Sequence, residues 1–313
     1  MKKLLFNTLR LLRPRQWIKN FFLFATVTFT GQLFNPPIMQ NVTIGFIVFC
    51  LLSSAIYIIN DFFDIKKDKL HPFKRFRPLA HGDLQVPYAL TVAGVLTIVS
   101  LVIGFFITPA FFVITIVYVL LQFSYSMFFK HIEVLDILAI AAGYILRVYA
   151  GEAASGYHIS VWLLLTTITI SLFLAIGKRR SELTLISQYP SAQIAATRKT
   201  LSHYSERLLD VYASIFATST FISYALFTFL ENREGQRISL GVLLPDFLPN
   251  EFSRRKWLMI TIIPVVYGLM RYLQDIYERH EGESPERILL SDTPLLTTIT
   301  IWFILVIVII YIV

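Results

Sequence analysis

A polytopic, all-α membrane protein of about nine transmembrane helices is the fold this sequence predicts. Composition is the first reason: 56% of the 313 residues are hydrophobic and 15% are charged, with a mean hydropathy of +0.65. Soluble domains carry about a quarter of charged residues. Hydropathy windows are the second reason. They mark spans at about 17–34, 42–60, 87–107, 110–128, 134–150, 160–177, 208–230, 257–274 and 294–313, each near the twenty residues that cross the hydrocarbon. The third is charge placement. With the N-terminus inside, 22 of the 28 Lys and Arg residues fall on inner segments and 5 on outer ones, the last being Arg147 within a span. That asymmetry orients the N-terminus to the cytoplasm. It also accounts for the net charge of +8 without nucleic acid as a partner.

Taken in order, the opening MKKLLFNTLRLLRPRQW is basic, and Arg10, Arg13 and Arg15 interrupt the apolar run that a signal peptide needs. It reads as an amphipathic helix in the membrane interface. The spans that follow must pair every backbone polar group internally, and no ten-residue barrel alternation is present, so they are helices. Pro109 marks the turn between the third and fourth spans, and Thr293-Pro294 the N-cap and first position of the ninth. No linker or low-complexity run divides residues 1–313, which read as one domain. The single cysteine, Cys50, excludes an internal disulfide and a cysteine metal cluster. Histidines at 71, 81, 131, 158, 203 and 280 show no zinc spacing.

Polar clusters follow the second, fourth, sixth and eighth spans, all on the expected cytoplasmic side. The first is NDFFDIKKDKLHPFKRFRP at 60–78. On a helix, Asp61, Asp64 and Asp68 at i, i+3 and i+7 lie within an arc of roughly 60 degrees. Their mutual repulsion is relieved by a hard cation such as Mg2+, which takes one or two carboxylates together with waters and phosphate oxygens. Asn60 offers a further amide oxygen, and Lys74, Arg75 and Arg77 face the remaining phosphate charge. The stretch thus reads as a magnesium-diphosphate clamp, against the alternative of a solvated loop of alternating charge.

After the fourth span, Tyr125, Lys130 and Asp136 gather near the interface. Asp136 and Arg147, eleven residues apart, share a helix face about 16 Å apart. Arg147 should point into the bundle, toward Glu152, a backbone carbonyl or a watery cavity, and Gly143 between them admits a close neighbour. Lys178, Arg179 and Arg180 close the sixth span, where lipid headgroups and substrate phosphate explain them equally well. Arg271 and Asp275 close the eighth, one turn apart.

At NDFFDIKKD the chain resembles the UbiA family of intramembrane prenyltransferases, whose signature N-D-x-x-D-x-x-x-D is matched by Asn60, Asp61, Asp64 and Asp68. A second D-x-x-x-D usual in the family is broken, since Ile140 stands four residues after Asp136. RPRQWIKN at 13–20, residues 125–151, GKRRSEL at 177–183 and the segments after VYGLMRY are similar to a branch that transfers phosphoribose. The resemblance implies transfer from 5-phosphoribosyl diphosphate to a decaprenyl-like polyprenyl phosphate. Asp61, Asp64 and Asp136 would be the catalytic acids, and Asn60 with Asp61, Asp64 and Asp68 would hold Mg2+. Substrate phosphates would fall to Arg15, Gln16, Lys19, Lys74, Arg75, Arg77, Tyr125, Lys130, Arg147, Lys178, Arg179, Arg180 and Arg271. Arg15, Gln16 and Lys19 serve equally as interface anchors beside Trp17. The acceptor phosphate is already an anion and needs no strong base, and its attack on C1 inverts the anomeric centre. The resemblance also implies a cell-membrane protein with a cytoplasmic site, feeding cell-wall polymers. Two alternatives remain: prenyl transfer from a prenyl diphosphate, and a transporter, which would place charges at the midplane of several spans.

Overall fold

The computed structural model describes residues 2–70, 74–187, 204–230, 257–277 and 285–312, and the described residues form helices joined by short turns. The expected loop at 231–256, more than half of that at 178–207, and His71, His203 and His280 lie outside them. Helix α1 is Lys2–Leu12. A 3₁₀ segment, Pro14–Phe24, and α2, Ala25–Phe29, follow it. Then come α3 Pro36–Leu70, α4 Pro78–His81, α5 Val86–Ile107, α6 Pro109–Met127, α7 Leu135–Ser155 and α8 Val161–Ser187. The chain ends in α9 Glu206–Leu230, α10 Ile262–Tyr277, α11 Pro285–Ser291 and α12 Thr293–Tyr311.

Eight helices among the described residues are long and apolar enough to cross a membrane, against the nine spans expected. The difference lies at 17–34. There the chain is a 3₁₀ helix of 11 residues followed by five α-helical ones. At about 2.0 and 1.5 Å per residue the pair still reaches about 30 Å, the hydrocarbon thickness. A three-residue period eclipses side chains at i and i+3, so Trp17, Asn20 and Leu23 form one row against the bundle. Trp17 Nε1 donates to Ser54 Oγ at 3.0 Å, and Asn20 and Leu23 are buried. The next row pairs Lys19 Nζ with Gln16 Oε1 at 2.7 Å. A glycine makes the packing possible: a Cβ on Gly151 of α7 would sit 1.9 Å from the Leu23 carbonyl oxygen.

Helix α3 has 35 residues and so runs about 52 Å, well beyond the hydrocarbon. Its last turns therefore carry Asn60 through Asp68 out of the bilayer on a continuous helix, where a loop from residue 61 was expected. Helix α6 starts at Pro109, as predicted, with Thr108 Oγ1 accepting from the Phe111 N–H at 3.0 Å. Helix α12 is capped one residue earlier than expected, by Asp292, whose carboxylate accepts from the Leu295 N–H at 2.9 Å. The main apolar core lies where α3, α6, α7 and the 3₁₀ segment meet, around Leu23, Phe49, Leu52, Phe111 and Tyr118.

Candidate active site

Asp61 and Asp68 do share a helix face, because Arg77 Nη1 reaches both, at 3.1 and 2.6 Å. Asp61, with 2% exposure, takes a second cation from Arg13. Arg13 was not singled out from the sequence, although it opens the quoted RPRQWIKN. It closes α1 in a left-handed conformation, φ 53 and ψ 60, which costs a non-glycine residue about 1 kcal/mol. Its guanidinium stacks over the Tyr57 ring at 5.2 Å. Burial opposes the Arg13 charge, and Asp61 more than offsets it, leaving its pKa above the ordinary value.

Asp64 turns away from this pair toward Lys130, which donates to its Oδ1 at 2.8 Å from the turn after α6. Its side chain keeps 21% exposure, the most of the three. The three carboxylates are thus split between two sets of cations. No three His, Cys, Asp or Glu side chains among the described residues converge to hold a metal ion. One donor is nevertheless left over: Asn60 Oδ1 is buried and accepts no hydrogen bond. Mg2+ takes one or two carboxylates and completes its shell from water and substrate phosphate. Asn60 and Asp64 fit that donor set; an all-protein cage of three carboxylates does not.

The basic residues divide in the same way. Arg15 and Arg75 are exposed, the latter stacked on Phe76 at 4.8 Å, while Lys74 and Lys178 are half-buried. Gln16 accepts from Tyr57 and Lys19, and Tyr125 is buried beside this end of the bundle. Arg179 and Arg180 turn inward. Arg179 is wholly buried, 2.9 Å from Glu182 and 3.5 Å from Asp136, and Arg180 joins α8 to Glu206 and Asp210 of α9. Arg271 pairs with the capping Asp292 at 2.8 Å more closely than with Asp275 at 3.9 Å.

Asp136 is also withdrawn, with 0% exposure; its Oδ1 accepts from Tyr204 Oη at 2.8 Å. As a candidate catalytic acid it touches protein only, because Arg179 and Tyr204 enclose it. Arg147, as expected, points inward, and its partners are neutral: Asn20 Oδ1 at 2.8 Å, the Gly143 carbonyl at 2.6 Å and Tyr118 Oη at 2.7 Å. Glu152 pairs with His158 instead. Asn20 closes the quoted RPRQWIKN without a role assigned to it there, and Tyr118, a lone tyrosine in an apolar span, belongs to no motif.

The UbiA prenyltransferase family profile matches residues 21–288. The chain belongs to that family. It is 34% identical over 305 residues to decaprenyl-phosphate phosphoribosyltransferase of Mycolicibacterium smegmatis, covering 96% of this chain and 91% of the relative. To the protein of the same name from Corynebacterium glutamicum it is 33% identical over 315 residues, covering 99% and 89%. A solved UbiA homolog from Archaeoglobus fulgidus, bound to GPP and Mg2+, superposes with a TM-score of 0.69 at 21% identity over 97% of this chain and 99% of that one. The N-D-x-x-D-x-x-x-D stretch lies on α3, and Asp136, the acid left of the broken second motif, is turned into the protein.

Proposed function

We propose that this chain moves phosphoribose from 5-phosphoribosyl diphosphate to the phosphate of a polyprenyl phosphate, releasing diphosphate, at the cytoplasmic face of the cell membrane. The observation that carries this over prenyl transfer is the burial of Asp136. Of the acids at this end only Asp64 keeps appreciable exposure, and the cations around it are what a donor with two phosphate groups needs. The near full-length similarity to two phosphoribosyltransferases supports the same substrate class.

Asn60 and Asp64 would hold Mg2+. When bound, it neutralises the diphosphate charge that develops as the bond to C1 breaks. Lys130, 2.8 Å from Asp64, would hold the donor's diphosphate equally before and during cleavage of the C1–O bond, and Arg77 and Arg13 keep Asp61 and Asp68 compensated, so no bare carboxylate repels the donor. Arg15, Arg75 and Lys178 would take the 5-phosphate and the lipid phosphate, with Lys19 reaching the same phosphates from its place beside Gln16. An acceptor phosphate oxygen attacks C1, the C1–O bond breaks with its electron pair on diphosphate, and the anomeric centre inverts. Stabilisation of that leaving charge is where the rate is gained.

Purified protein supplied with Mg2+, labelled phosphoribosyl diphosphate and polyprenyl phosphate should carry the label into the lipid phase. A parallel reaction with a prenyl diphosphate and an aromatic acceptor should stay blank. Label in the second reaction and none in the first would overturn the proposal.

A further inference from the structure

Beyond the residues placed at the donor lies a buried cluster with no part in the chemistry: Asp136, Arg179 and Tyr204. It leads to a strained turn. The Leu135 N–H bonds to the Glu133 carbonyl at 2.7 Å, and Val134 between them has φ 64 and ψ −45. This is the positive-φ γ-turn, rare for any residue and especially unfavourable for a β-branched one. Strain of this kind persists only when surrounding structure fixes it. The fixing group is Tyr204, whose Oη accepts from the Val134 N–H at 2.6 Å and donates to Asp136 at 2.8 Å. Arg179 Nη1 lies 3.5 Å from the other Asp136 oxygen, an ion pair without a hydrogen bond, and both residues are fully buried.

Lys130 lies four residues before Val134, within the 3₁₀ turn Phe129–His131. That turn is closed by His131 N–H to Phe128 and Ile132 N–H to Phe129, each at 3.0 Å, so little slack separates the strained residue from the lysine. We infer that Tyr204 is a positioning residue: braced by Asp136, it pins the Glu133–Leu135 turn and thereby sets Lys130 on Asp64 at the donor site. The inference rests on the phosphoribosyl reading of that site. Burial, with the bond to Asp136, pushes the Tyr204 pKa up to about 12, so the hydroxyl keeps its proton at any working pH. Val134 is 48% exposed, so its side chain contributes little to the core and the residue can be replaced without opening a cavity.

The test uses the purified full chain and initial rates over a range of phosphoribosyl diphosphate concentrations. Tyr204→Phe should raise the donor KM about tenfold and change kcat by less than about twofold, as expected when a binding contact is displaced. On the Val134→Gly background, where glycine adopts positive φ without strain, Tyr204→Phe should restore a donor KM within about twofold of wild type. On a Lys130→Ala background, Tyr204→Phe should add nothing further, because the contact it governs is gone. An unchanged KM in Tyr204→Phe, no rescue by Val134→Gly, or additive losses with Lys130→Ala would overturn the inference. If Tyr204→Phe alone does not fold, the Val134→Gly double variant decides: wild-type KM supports the brace, and failure to fold there too overturns it. Wild-type protein that transfers no label refutes the proposed function instead, so the two failures are distinct.

Discussion

Asp64→Asn is expected to cut transfer of phosphoribose to lipid by at least about 100-fold while the protein remains folded, a loss of about 3 kcal/mol of transition-state stabilisation. Asparagine has the same shape, and its amide oxygen still accepts from Lys130, so the change removes charge and little else. The other two acids offer no such clean experiment. Neutralising Asp61 would leave Arg13 and part of Arg77 uncompensated, and the loss of one partner from a buried pair costs about 3–5 kcal/mol by itself. Asp64 has one cation in contact and keeps 21% exposure, so an activity loss there reports on chemistry. Initial rates in the lipid-labelling assay, read beside the melting temperature in detergent, separate the two. A variant that keeps a tenth or more of the wild-type rate at an unchanged melting temperature refutes the role of Asp64. Excess chelator in the same assay should remove wild-type activity, and added Mg2+ should restore it.

Much of the fold was legible because a bilayer constrains the chain severely: apolar runs of about twenty residues leave helices as the economical solution. The later eight spans start within about two residues of their helices, apart from α3, which starts six residues earlier, and α10, which starts five residues later behind a 3₁₀ turn at Trp257–Thr261. The first was harder. Hydropathy measures length and apolarity, and both suit residues 17–34, yet neither distinguishes α from 3₁₀; the three-residue row of Trp17, Asn20 and Leu23 does, once its partners on α3 and α7 are known. At the site, the i, i+3, i+7 spacing correctly put Asp61 and Asp68 on one face. It could not say that Arg77 would occupy both, since that pairing depends on how the 3₁₀ turn Lys74–Phe76 sets Arg77 against α3. The Lys178–Arg180 triplet shows the same limit. Three adjacent cations look alike in sequence, but at 100 degrees per residue they point in different directions, and Arg179 and Arg180 meet acids on α7, α8 and α9. Tyr204 was invisible because its importance comes from the backbone of Val134, seventy residues earlier.

Gly151→Ala should prevent accumulation of well-folded protein, or lower its melting temperature far more than any other Gly→Ala change in a membrane helix. The added Cβ would lie 1.9 Å from the Leu23 carbonyl oxygen, 2.8 Å from its carbon and 3.0 Å from its Cα. All three atoms are backbone, so no rotamer change relieves the overlap, and α7 must move away from the 3₁₀ segment. Arg147 lies one turn before Gly151 on the same face and spans that gap with its 2.8 Å bond to Asn20. Overpacking a tight interface costs about 1–3 kcal/mol. Stretching a charge-assisted bond inside the bundle adds about 1.5–3 kcal/mol. Together they threaten most of the stability of a marginally stable chain. Gly94→Ala is the control: on α5 nothing lies within 4 Å of its Cβ, and alanine is the better helix former, so no loss is expected. Melting curves in detergent that coincide for Gly151→Ala and wild type would show that the 3₁₀ segment does not pack against α7 as closely as described, and would remove the support it gives to Arg147.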